Sequence, residues 1–255
     1  MAEKPSESRD SLESILQLAA LNEARIPLLR APMFKMIADV HDGMMLATTP
    51  PVYGDQVPTL LVLQSQQYFL GATRLALGGM LSPVFPLLRA SLESAAYAIL
   101  AQGSEDRCME WIKRDENDAT RKAFRAKFTF ANAVKKLAEL DEELASHYDY
   151  LYEASITHGA HPNFAGVMGS ITSKRNHSGD ENIKMRVIND GGSTPVFHAL
   201  DAVIRFGAAA GGGFRYAIPK HQPAVAAYHL FLGLSNKMAE DWAGIVASAK
   251  EQSER

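Results

Sequence analysis

Apolar side chains recur at three- and four-residue intervals along most of this chain, and no other feature restricts its fold as strongly. Leu12, Ile15, Leu16, Ala19 and Ala20 follow Asp10 and Ser11, either of which is a good N-cap, so the first helix starts there. Pro27 and Pro32 interrupt the next segment, which predicts a shorter helix or a kinked continuation over 28–45. A loop is expected over 47–58, where three prolines and a glycine cluster. Pro58 then suits the first turn of a long helix to about Met80, and Ser82-Pro83 opens another to about Gln102, closed by Gly103. Ser104 starts a short helix. A longer charged one is predicted from about Asn117 to Leu140, carrying Phe124, Phe128, Phe130, Val134 and Leu137 as its stripe. Asp141 begins the next, to about His158, and HGAHPN (158–163) stops it.

Between 164 and 188 the periodicity changes. Residues 164–173 carry Val167, Ile171 and two glycines, Ile183, Lys184, Met185, Arg186 and Val187 alternate with period two, and SKRNHSGDEN between them supplies turn chemistry, which predicts a β-hairpin. Ser193 and Pro195 open a helix to about Tyr216 that contains Gly211, Gly212 and Gly213 and breaks or packs closely there. A last helix is expected from about Pro223 to Lys250. With no repeat, low-complexity tract or linker, the expectation is a mainly α protein: one helical-bundle domain over 1–255, with a small β-hairpin insertion and disorder over the first nine residues.

Composition excludes some functions. With 47% apolar and 22% charged residues, 255 residues are enough to bury a core without staples, and Cys108 alone forms no intramolecular disulfide and no CxxC pair. A balance of 26 basic against 29 acidic residues, net −3, argues against a broadly cationic nucleic-acid binder. The exception is a basic cluster on the expected hairpin, Lys174, Arg175, Lys184 and Arg186, which leaves a phosphate or RNA patch open. MAEKPSESRD lacks the apolar core of an export signal, and Arg89, Ser91, Glu93 and Ser94 interrupt the most apolar stretch, so a cytoplasmic protein with no membrane span is expected.

Motif chemistry is sparse. There is no GxxxxGK[ST] loop, the triple glycine lacks a preceding strand, and the nearest approach to a Glu-x-x-His metal motif, Glu143 and His147, is spaced by four. What remains is polar groups on apolar stripes. Arg89, Glu93 and Tyr97 lie at i, i+4, i+8 beside Leu88, Leu92, Ala96 and Leu100, and Leu144, Tyr148, Leu151, Ser155 and His158 share a stripe on a second helix, with His161 just beyond. If the two faces meet, Arg89, Glu93, Ser155, His158 and His161 line a pocket for a small polar or anionic ligand. The guanidinium would hold an anion, Glu93 would orient an imidazole, and His158 would serve as base in a hydrolase or nuclease. A mutually satisfied Arg–Glu pair that only fixes a helical interaction module, dimeric or otherwise, uses the same residues. His158, His161 and Glu93 are also a weak metal set, short of a full ligand shell, so no metal or cofactor is assigned.

LLRASLE (87–93) on one helix and YDYLYEASITHGAHPN (148–163) ending another resemble a group of bacterial helical proteins with an R-x-x-x-E helix and a later Tyr...Ser-x-x-His segment. Some of these are discussed alongside the HEPN superfamily of helical bundles, which includes toxins and antiphage RNases. The resemblance, confined mainly to 82–163, implies an α-helical bundle more than an activity. The nuclease members resemble one another in an R-x(4–6)-H motif. Arg175 and His177 are too close to form it, and the RNase activity is not carried over.

Overall fold

A computed structural model describes residues 11–160, 171–175, 181–185 and 187–236. The expected disorder of residues 1–9 lies outside them. Among the described residues the protein is mainly α, with ten helices. They are α1 (Leu12–Leu29), α2 (Ala31–Ala47), α3 (Gln56–Leu77), α4 (Val84–Ala101), α5 (Glu105–Ile112), α6 (Asp118–Lys127), α7 (Phe130–Ala138), α8 (Glu142–Ser155), α9 (Thr194–Ala217) and α10 (222–236). Two short strands, β1 (Ile171–Arg175) and β2 (Glu181–Met185), pair antiparallel with Ile171 opposite Met185 and Arg175 opposite Glu181. The paired segments are thus 171–175 and 181–185, where the sequence pattern suggests 164–173 and 183–187. Lys174 and Arg175 stand in β1 and Lys184 in β2, whereas Arg186 is outside the described residues.

Helix ends follow cap chemistry more closely than apolar period. Ser11, Ser104 and Asp141 each accept a backbone N–H with the side chain, and Asn117 forms a reciprocal capping box with Thr120. Each such cap contributes about 1 kcal/mol. Thr129 corrects the expected long helix over 117–140. Its side chain accepts from Asn132 N, Phe128 leaves helical geometry (φ −87°, ψ 73°), and Asn132 Nδ2 donates to Lys127 O, so the chain breaks into α6 and α7. Ser82 is not the cap of α4; Pro83 holds that place.

The centre of the bundle is α9, buried from Val196 to Ala217 on nearly every turn and packed by α2, α3, α4 and α8. Its glycine run does not break it, and the glycines make room for large neighbours. A Cβ at Gly211 would overlap the Phe231 ring, and one at Gly213 would overlap the Tyr148 hydroxyl. Buried apolar residues from α1 to α10 form one cluster around it. α4 is long and apolar enough to pass for a membrane span, with 61% of it buried inside the bundle.

Among the described elements α3 and α4 pack most extensively on one another. Midway along them Ser65 Oγ donates to Ser91 O at 2.8 Å and Ser91 Oγ to Ser65 O at 2.9 Å, so two buried hydroxyls are satisfied across the seam. α1 is held by a buried amide: Asn22 Nδ2 donates to Asn189 O at 2.9 Å and to Gly78 O at 3.2 Å, while Asn189 N donates to Gly79 O at 2.9 Å. Gly79 has φ +78°, and any side chain there would strike Asn189 O.

Candidate functional site

The α4/α8 seam assembles part of the expected constellation. Phe85, Arg89, Glu93 and Tyr97 form a half-buried stripe along α4. Arg89 Nε donates to Glu93 Oε1 at 2.8 Å, and its Nη2 donates to the Tyr152 hydroxyl at 2.6 Å. The guanidinium also lies 4.5 Å over the Tyr152 ring, which stacks on Phe130 at 4.0 Å. Burial works to lower the pKa of Arg89, but the bond and charge of Glu93 outweigh it and leave the guanidinium raised. Burial, then the negative charge of Glu93, pushes Tyr97 up to about 12.

The other expected residues do not join this network. Ser155 is fully buried and donates to Tyr152 O at 2.6 Å, one turn back on its own helix. His158 is exposed within a wide π turn, Ile156–Ala160, and stacks on Phe85 at 5.3 Å. Phe85 and Glu93 are eight residues apart on α4, about 12 Å along its axis, so the structure does not bring the His158 ring to Glu93. His161 lies outside the described residues. Among the described residues no three His, Cys, Asp or Glu side chains gather as a metal site.

A second polar cluster, missed by the sequence reading, lies between α8, α9 and α10. Asp141 caps α8 through Oδ1 and accepts from Tyr216 Oη at 2.8 Å and Tyr228 Oη at 2.6 Å through Oδ2. Arg215 stands 4.7 Å over the Tyr228 ring. Burial raises the Asp141 pKa, but the bonds from Tyr228, Leu144 N and Tyr216, with the Arg215 charge, hold it below the ordinary value. Beside this cluster opens a cleft of ≈ 570 Å³. Leu144, Leu151, Ala208, Ala209, Gly212 and Phe231 make its walls, and Asp141, Glu143, His147, Tyr150 and Arg205 bring polar groups to it. Arg205 Nε is paired with Asp201 at 2.8 Å. The i, i+4 spacing of Glu143 and His147, and of Asp201 and Arg205, was legible; their convergence across helices 60 residues apart was not.

Arg175 and His177 are not the pair nearest to the R-x(4–6)-H spacing, as a better-spaced pair is present. Arg215 and His221 do have the R-x5-H spacing, at the end of α9 and just past it. His221, however, is 1% exposed, accepts from Tyr53 N at 3.4 Å, and has Nε2 buried with no partner among the described residues, so its ring is not open to a substrate. Cys108 is half-buried, and its thiol lies 3.8 Å from Ala101 O. Comparison with protein-family models, curated proteins and solved structures found no match to this chain.

Proposed function

We propose that this protein is a small-molecule-binding helical bundle whose site is the cleft between α8, α9 and α10. The observation that carries the reading is the cleft itself: ≈ 570 Å³ with apolar walls and a few convergent polar groups, which is the size and make-up of small-molecule sites generally. Its charge selects the ligand. Asp141 and Glu143 are acidic, and the Arg205 charge is matched by Asp201, so the cleft favours a neutral or cationic head on an apolar body over an anion. The α4/α8 seam is less suited to an anion, since Glu93 neutralises Arg89 there. The paired strands β1 and β2 are read as a hairpin set into the helical chain.

Calorimetric titration with a matched pair, phenethylamine and phenylpropionate, tests the reading on the full chain. The amine should bind more tightly, and Ala209→Leu, which fills the cleft, should abolish its binding while the helical circular dichroism is kept. Preference for the carboxylate, binding that survives Ala209→Leu, or no binding of the amine at millimolar concentration would each sink it.

A further inference from the structure

The outward face of α3 is built like a coiled-coil seam. Gln56, Leu60, Leu63, Gln67, Leu70 and Arg74 are all exposed, and their spacing alternates four, three, four, three, four. Leu60 is 49% exposed, Leu63 38% and Leu70 36%. Solvent-facing helix surfaces are ordinarily charged, yet this 22-residue helix has Arg74 as its single ionic side chain. Met45 and Leu46 at the end of α2, 51% and 39% exposed, extend the apolar surface sideways, with Gln66 Nε2 donating to Met45 Sδ at 3.0 Å.

We propose that this face pairs with the same face of a second copy of the chain, antiparallel and about a two-fold axis at the level of Ser65. Charge and symmetry select that occupant. An isologous interface requires a surface that matches itself, and the exposed positions are symmetric about residue 65. Leu60 meets Leu70 of the partner subunit, Leu63 meets Gln67 of the partner subunit, and Gln56 meets Arg74 of the partner subunit. No like charges oppose one another. A strongly acidic or basic partner would find nothing here to pair with except Arg74, which already meets Glu23 at 3.4 Å. The seam from Gln56 to Arg74 runs about 27 Å. With the α2 flank, it covers on the order of 600 Å² per copy, enough for a dimer at the lower end of stable interfaces.

Light scattering of the full chain over a concentration series tests the pairing. The wild type should weigh twice the 27.8 kDa chain. Leu60→Glu/Leu70→Glu places like charges at both symmetric contacts and should raise the dissociation constant by roughly a hundredfold. Leu60→Glu/Leu70→Lys should restore the dimer, because each glutamate then meets a lysine of the other copy, which occurs only in the antiparallel register. Leu60→Gln/Leu70→Gln introduces no charge, should weaken the dimer by about tenfold, and serves if the charged variants lose helical circular dichroism. A monomeric wild type, a Glu/Glu or Gln/Gln variant that is folded and still fully dimeric, or a Glu/Lys variant that is folded and monomeric overturns the proposal.

Discussion

The hydroxyl of Tyr228 lies 2.6 Å from Asp141 Oδ2, so the residue that caps α8 is tied by a charge-assisted bond to α10, 87 positions later in the chain. Tyr216 bonds the same oxygen from α9, which makes one carboxylate the junction of three helices.

The carboxyl of Asp141 is held below its unfolded pKa of 3.8, so its stabilising effect is full above that value and is lost as pH falls through the lower, folded one. Asp141→Asn should therefore lower stability at neutral pH and flatten the acid limb of a denaturant-melt series. An acid limb identical to wild type would remove this role.

His221 titrates with the same sign for a different cause. Burial lowers its pKa from 6.5, so the folded chain keeps the ring neutral while the unfolded chain takes up a proton. Stability is full above about 6.5 and falls as pH drops from there toward the folded pKa. His221→Asn keeps an acceptor for Tyr53 N and removes the titration. The difference between the two stability-versus-pH curves, taken from about pH 8 to about pH 5, should widen in favour of the variant as pH falls.

The three glycines of α9 should respond differently to alanine. Gly211→Ala and Gly213→Ala force Phe231 and Tyr148 aside and should cost about 1–3 kcal/mol each. At Gly212 the added Cβ would stand 3.6 Å from Leu144 Cδ1, an ordinary contact, so Gly212→Ala should stabilise by about 0.5–1 kcal/mol through helix propensity. Chemical denaturation of the three variants gives the ranking directly.

The Arg89–Glu93 pair is shielded, with side chains 18% and 27% exposed, yet not dry. Arg89→Met strands Glu93 and leaves the Tyr152 hydroxyl without its donor, a loss of about 1–3 kcal/mol. Arg89→Leu/Glu93→Leu should cost less than the two single leucine changes added together, as a double-mutant cycle will show.

Local chemistry carried much of the fold into view. Ser11, Ser104 and Asp141 cap helices where a small polar residue precedes an apolar stripe, and Arg89 with Glu93 at i, i+4 is a pair any helix would make. The split at Thr129 was not visible, because the apolar period runs straight through it and only the cap bond to Asn132 N shows that the helix restarts. Ser155 and His158 share a stripe in an ideal α-helix. The π turn at Ile156–Ala160 widens the spiral and puts Ser155 in the core and His158 in solvent. Tyr216 and Tyr228 gave no signal as partners of Asp141, since nothing in a single sequence links residues 75 and 87 positions apart.

The amide of Asn22, bound to Asn189 O, closes a loop of 167 residues, whereas the Ser65–Ser91 exchange closes one of 26. The entropic difference between those closures is about 1.6 kcal/mol, so the Asn22–Asn189 bond is expected to form after the α3/α4 exchange. The order reverses on opening. α1 buries only Ala19, Asn22 and Ile26, so it is expected to detach without unfolding the rest, and hydrogen exchange should show its amides released locally while those of α9 wait for the whole chain to unfold.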